Sequence, residues 1–144
     1  MEVQEIMTMR PISIGPEETV AAAARLLRRT NLGAVPVCDA AGRLRGMVTD
    51  RDIVTRCLGL EYDPDTTRVT EIMSRAVTSV APGADVGEAA EIMAKKQIRR
   101  LPVTRGGRLV GMLTLCDLAR REDCRAECAR AMESISAQVH IMII

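Results

Sequence analysis

Gly46-Met47-Val48-Thr49-Asp50-Arg51-Asp52 returns further along the chain as Gly111-Met112-Leu113-Thr114-Leu115-Cys116-Asp117, two segments of the form G-h-h-T-x-x-D with h apolar. Working outward, Gly42-Arg43-Leu44 matches Gly107-Arg108-Leu109, and one residue fewer in the second hairpin turn shifts the offset from 65 to 66. At the larger offset Pro36-Val37 matches Pro102-Val103, Ala23-Ala24 matches Ala89-Ala90, Val20 matches Val86, and Glu5-Ile6-Met7 matches Glu71-Ile72-Met73. The chain is a tandem duplication. Two copies are too few for a solenoid, which needs three or more repeats, so the copies are expected to complete one module together.

Each copy reads alike. Ile12 to Ile14 and Val77 to Val80 are short extended segments closed by Gly15-Pro16 and Ala81-Pro82-Gly83. A helix follows, capped by Thr19 or Asp85, and Asp85 with Glu88 has capping-box spacing. Val20, Ala23, Ala24 and Leu27, repeated as Val86, Ala89, Ala90 and Met93, form one apolar helical face. Val35-Pro36-Val37-Cys38 and Leu101-Pro102-Val103-Thr104 are strands entered through a proline, which cannot donate to a ladder and suits a strand's start. Hairpin turns at Asp39-Ala40-Ala41-Gly42 and Arg105-Gly106-Gly107 return through Leu44 to Val48 and Leu109 to Leu113, and second helices start at Thr49 and Thr114. The expected class is α+β with α/β-like order: two pseudosymmetric units, each a small three-stranded sheet on two helices, followed by a C-terminal helical extension.

Composition narrows the function. With 144 residues, 47% of them hydrophobic and 27% charged, the chain has the makings of a folded core. A formal charge of +1, no Phe or Trp and a single Tyr (Tyr62) argue against nucleic acid, which is held by basic surfaces or aromatic stacking. No apolar run approaches the roughly 20 residues of a membrane span. The acidic opening Met1-Glu2-Val3-Gln4-Glu5 is unlike a secretory signal, and five cysteines fit free thiols in a reducing compartment, so the expected location is cytoplasmic.

At the second helix start, Thr49 and Thr114 as caps with Asp52 and Asp117 three residues on satisfy free amides without any ligand. The same carboxylates could accept the hydroxyls of a ribose, and the two roles are compatible. The E-I-M opening, the h-P-V strand and the G-h-h-T-x-x-D helix start, all present twice, resemble a pair of cystathionine-β-synthase (CBS) domains, together a Bateman module. The resemblance covers Val3 to Arg121 and extends to short stand-alone bacterial proteins made of one such pair. It implies a first CBS motif over 1–62, a second over 63–121, and a C-terminal helix and apolar tail over 122–144. It also implies clefts between the motifs for adenosine-containing ligands such as AMP, ADP, ATP, S-adenosylmethionine or NAD. Homodimers are implied too, with regulation of an unidentified partner protein.

Carried onto this sequence, Asp52 and Asp117 would hold ribose, with Thr49 and Thr114 beside ribose and phosphate. The adenine edge would meet Ile12-Ser13 with Gly33-Ala34, and Thr78-Ser79 with Arg99-Arg100. The copies differ in charge: Arg99-Arg100 replaces Gly33-Ala34, and Cys116 replaces Arg51. A cleft combining Asp52 with Arg99 and Arg100 would neutralise phosphates, while one using Asp117 keeps mainly Arg51. Arg99 and Arg100 have the alternative of a solvated helix end.

No catalytic constellation stands out: the one histidine, His140, lies outside the repeat and there is no G-x-S-x-G. Cys124, Cys128, Met132 and Ile135 read as the buried stripe of a C-terminal helix, with a metal site as a minor alternative. Val139 to Ile144 is apolar enough to dock on this subunit or a partner. The expected function is a non-catalytic sensor of adenine nucleotides that needs no cofactor beyond that regulatory ligand. The alternatives are a ligand-free scaffold, in which the boxes only cap, and a thiol-based redox or metal sensor using Cys116, Cys124 and Cys128.

Overall fold

A computed structural model describes residues 1–137; the apolar tail and His140 lie outside the described residues. The elements are β1 (Thr8–Met9), α1 (Val20–Thr30), β2 (Ala34–Cys38), β3 (Leu44–Thr49), α2 (Asp50–Asp52), α3 (Val86–Lys96), β4 (Arg100–Arg105), β5 (Arg108–Thr114), α4 (Leu115–Ala119) and α5 (Arg125–Ala137). After α2 the chain widens into a π-helical turn over Ile53–Cys57. This is the α+β pattern of two repeated units expected from the sequence.

The two compact units do not follow the chain linearly. One gathers Ile12–Val77 with Gly106–Leu109; the other gathers Met1–Pro11, Thr78–Arg105 and the described residues from Val110 on. The segment carrying each E-I-M therefore packs with the helix and hairpin of the other copy.

In the unit built on 12–77, Thr19 caps α1 by accepting the Ala22 N–H at 3.1 Å. The remaining free amides at that helix end are met by the segment ahead of the second E-I-M: Val20 N–H donates to Thr67 O (2.8 Å) and Ala21 N–H to Pro64 O (2.9 Å). The left-handed Asn31 ends α1 at φ 56°. β2 and β3 pair antiparallel, widened by single parallel and antiparallel bridges at Ile14–Val37 and Met47–Ser74. Val20, Ala23, Leu27, Val35, Val37, Val48, Val69 and Ile72 close the core.

The other unit repeats this arrangement. Val86 N–H donates to Met1 O (3.0 Å), the counterpart of Val20 on Thr67, and Gln97 ends α3 at φ 59°. Here the sheet has order β1-β5-β4, with Thr8 opposite Met112 and Met9 opposite Gly111. Its third strand thus comes from the start of the chain, while Val77–Val80 contributes one parallel bridge, Val80–Val103. The expected capping box of Asp85 and Glu88 does not form. Asp85 Oδ1 takes the nearer Gly87 N–H at 2.8 Å, and its backbone is bridged to Glu2.

α5 packs on α3 and α4 and adds Cys128, Ala131 and Ile135 to this core. The expected stripe needs one correction: Met132 is 38% exposed and Ala131 is buried in its place. Ala131 and Met132 flank the line from Cys128 to Ile135 on the helix, and the small side chain of Ala131 suits close helix approach.

Candidate functional site

Both G-h-h-T-x-x-D segments end a strand and start a helix. In the unit built on 12–77, Thr49 is extended (φ −114°, ψ 162°) while Asp50 enters the helix. Asp52 N–H donates to Thr49 Oγ1 at 3.0 Å, and Thr49 N–H donates to Asp52 Oδ2 at 2.9 Å. The box is reciprocal, so the carboxylate is held by the backbone it caps. Asp50 N–H reaches back to Gly33 O (3.0 Å), which fixes the residue ahead of h-P-V beside the helix start.

The other unit builds the same feature. Asp117 N–H donates to Thr114 Oγ1 (3.2 Å), and Asp117 Oδ2 accepts both the Thr114 N–H (2.7 Å) and the Thr114 hydroxyl (2.8 Å). Leu115 N–H donates to Arg99 O at 3.1 Å, the counterpart of Asp50 on Gly33. Each unit therefore brings together its own box and its own h-P-V entrance.

Asp52 and Asp117 are both buried to 8% exposure, although ionisable side chains rarely are. In each, Oδ2 serves the box and Oδ1 turns to an arginine. Arg56 Nε lies 3.7 Å from Asp52 Oδ1 while its Nη1 donates to Ile72 O at 3.2 Å, and Arg120 Nη1 donates to Asp117 Oδ1 at 3.3 Å. Both guanidinium side chains are more than half exposed, so these oxygens face the solvent side of the box. The sequence reading did not include Arg56 and Arg120. Their signal was the i,i+4 and i,i+3 spacing from each aspartate, positions that face each other on a helix.

The other candidates are placed as follows. Ile12 and Ser13 are exposed ahead of the Ile14 bridge, and Ala34 is buried as the first residue of β2. Thr78 is half-buried, and Ser79 shares a 3.1 Å hydrogen bond with Thr104. Arg51, Arg99 and Arg100 are exposed. The motif glycines serve packing: a Cβ on Gly46 would lie 2.6 Å from Ser74 O, and one on Gly111 would strike Met7 Sδ. Their bare backbone lets the E-I-M segment cross directly over β3 and β5.

Of the cysteines, only Cys116 is exposed. Burial pushes the Cys38, Cys57, Cys124 and Cys128 thiols up. Hydrogen bonding opposes this in two of them, from Ser13 to Cys38 and from Thr67 to Cys57. Among the described residues no three His, Cys, Asp or Glu side chains gather as a metal would require, and no helix is long and apolar enough to cross a membrane.

Comparison with known proteins places this geometry. The chain is 38% identical over 136 residues to the CBS domain-containing protein YhcV of Bacillus subtilis, covering 94% of this chain and 96% of the relative. It is 38% identical over 117 residues to hypoxic response protein 1 of Mycobacterium tuberculosis, covering 81% and 82% of the two chains. The crystal structure of hypoxic response protein 1, with two coordinated zinc ions, superposes with TM-score 0.79 at 37% identity, over 84% of this chain and 98% of that one. The CBS domain pair of protein MJ0100, in complex with 5′-methylthioadenosine and S-adenosyl-L-methionine, superposes with TM-score 0.73 at 29% identity, over 83% and 94%. The CBS domain family model matches residues 3–59 and again 69–123. With the model matched twice and a boxed aspartate in each copy, the chain belongs to the CBS domain family as a tandem pair.

Proposed function

We propose that this CBS pair is a non-catalytic regulatory sensor that binds adenosine-containing ligands, among them AMP, ADP, ATP, S-adenosylmethionine and NAD. One observation carries the reading: each copy buries an aspartate whose Oδ2 is committed to its own helix start while Oδ1 faces a largely exposed arginine. A vicinal diol can replace that arginine by donating two hydroxyl hydrogens to an anionic acceptor, a charge-assisted interaction stronger than a neutral one. The complex of the MJ0100 pair with two adenosine derivatives supports the ligand class.

In this reading Asp52 and Asp117 hold ribose and Thr49 and Thr114 border the phosphates. Ile12-Ser13 with Gly33-Ala34, and Thr78-Ser79 with Arg99-Arg100, meet the base. Arg51, Arg99 and Arg100 are the cations for phosphate. The protein acts as a cytoplasmic homodimer that transmits occupancy to a regulated partner, and light scattering should return twice the 15.7 kDa chain mass.

A thermal-shift screen followed by calorimetric titration with AMP, ADP, ATP, S-adenosylmethionine and NAD tests the ligand class. A ligand that binds only the native state raises its midpoint, and 100-fold excess over Kd adds about 2.7 kcal/mol. No shift with any of them would favour the scaffold reading. That alternative has its own support, because the reciprocal boxes account for Thr49, Asp52, Thr114 and Asp117 as caps alone.

A further inference from the structure

Cys116 stands inside the second box, between Thr114 and Asp117, and is the one cysteine whose side chain is exposed. Cys128 projects from α5 into the same unit, and its Sγ hydrogen-bonds Leu115 O at 3.5 Å. That carbonyl belongs to the peptide bond leading into Cys116. A buried thiol therefore lies against the peptide that leads into the open one, at the first turn of α4, where α5 packs against it. The first copy has no such pair, because Arg51 occupies the Cys116 position and Tyr62 falls one residue short of the Cys128 position.

We propose that Cys116 and Cys128 form a reversible oxidation site, in which a hydroperoxide joins their sulfurs into a disulfide that fastens the start of α4 to α5. The Cys116 thiolate attacks the peroxide O–O bond, becoming a sulfenic acid and releasing hydroxide. The Cys128 sulfur then attacks the Cys116 sulfur, and the sulfenic oxygen leaves as water. Overall two thiols and one hydrogen peroxide give one disulfide and two waters. The roles follow from exposure: an accessible thiol meets the oxidant, and a sheltered neighbour resolves the product. Burial, with a smaller contribution from neighbouring Cys116, pushes the Cys128 thiol up, which disfavours it as the first nucleophile. A disulfide needs Cα atoms about 4.4–6.8 Å apart, and the contact between Cys128 Sγ and the peptide leading into Cys116 sets the two residues side by side.

The test uses the full chain, reduced and then exposed to one equivalent of hydrogen peroxide before alkylation. Intact mass should fall by about 2 Da, a non-reducing peptide map should link Cys116 to Cys128, and dithiothreitol should reverse both. In Cys128→Ala, chosen because alanine suits the buried position, Cys116 should instead accumulate as a dimedone-reactive sulfenic acid. In Cys116→Ser no bridge should form at the same dose. The proposal is overturned if Cys116 of the unaltered chain proceeds to sulfinic acid as readily as in Cys128→Ala, or if its only disulfide joins two chains.

Discussion

Gly46→Ala should destabilise the protein far more than Gly111→Ala, although both glycines begin the same motif. At Gly46 the new methyl would sit 2.6 Å from Met73 Sδ and 2.6 Å from Ser74 O. The thioether can swing away, but the carbonyl cannot. Ser74 O accepts the Met47 N–H at 3.0 Å and Ser74 N–H donates to Met47 O at 2.9 Å, so retreat breaks both bonds of the bridge. Overpacking of this kind costs about 1–3 kcal/mol and each weakened hydrogen bond about 0.5–1.5 kcal/mol. Restricting the unfolded chain returns about 0.4–1 kcal/mol. The net loss is about 2–3 kcal/mol. At Gly111 the methyl meets only atoms of the Met7 side chain, which is unbranched and adaptable, so the net change should stay within about 1 kcal/mol. For a chain of this size these values translate to a midpoint lower by about 5–10 °C for Gly46→Ala and by no more than about 3 °C for Gly111→Ala. Urea titrations followed by far-ultraviolet circular dichroism would measure both. Equal losses, or a larger loss at Gly111, would refute the distinction between a fixed carbonyl and a movable side chain.

Asp52→Ala and Asp117→Ala should each cost about 1–2 kcal/mol of stability by removing a reciprocal cap. Each should also weaken nucleotide binding by about 1.5–3 kcal/mol, so calorimetry that finds unchanged affinity would leave capping as the only role. The double change Arg99→Ala with Arg100→Ala should weaken ATP more than AMP, because each guanidinium can grip phosphate oxygens in bidentate fashion; equal losses would remove these arginines as readers of phosphate number. The thiols of Cys38, Cys57, Cys124 and Cys128 are raised when folded, so their neutral form is favoured by the native state. Folding stability should therefore hold below the ordinary cysteine range and fall as pH rises through roughly 8.5, with alkylation near neutrality confined to Cys116.

Local rules carried much of this fold into plain view. The caps at Thr19, Thr49 and Thr114 and the Val86, Ala89, Ala90, Met93 face depend on neighbours within one or two turns. The box geometry was legible for the same reason, since Thr and Asp three apart can satisfy each other's backbone. Features that depend on distant chain were not legible. Nothing near Gly46 announces that Met73 and Ser74 will cross it, and nothing near Asp85 announces Glu2 as its neighbour. The short helices after each box also hid Arg56 and Arg120, because a motif that ends at the aspartate draws no attention to the turn beyond. Met132 was misplaced by spacing alone: on a helix Ala131 and Met132 flank the line from Cys128 to Ile135 about equally, so spacing could not decide which of them is buried.

The exchange of the E-I-M segments between the two sequence copies has a consequence for synthesis of the protein. Residues 1–11 leave the ribosome well before residue 78 is made, yet their partners in the unit extend from there onward. At about 5–20 residues per second, they wait several seconds or more for a surface to join. Most of the unit built on 12–77 is complete before the helix capped by Asp85 exists, so it can consolidate while the leading segment is still unpaired. A waiting stretch that carries Val3, Ile6, Met7 and Met9 is one that chaperones would meet, and slowing translation after residue 77 would prolong that encounter.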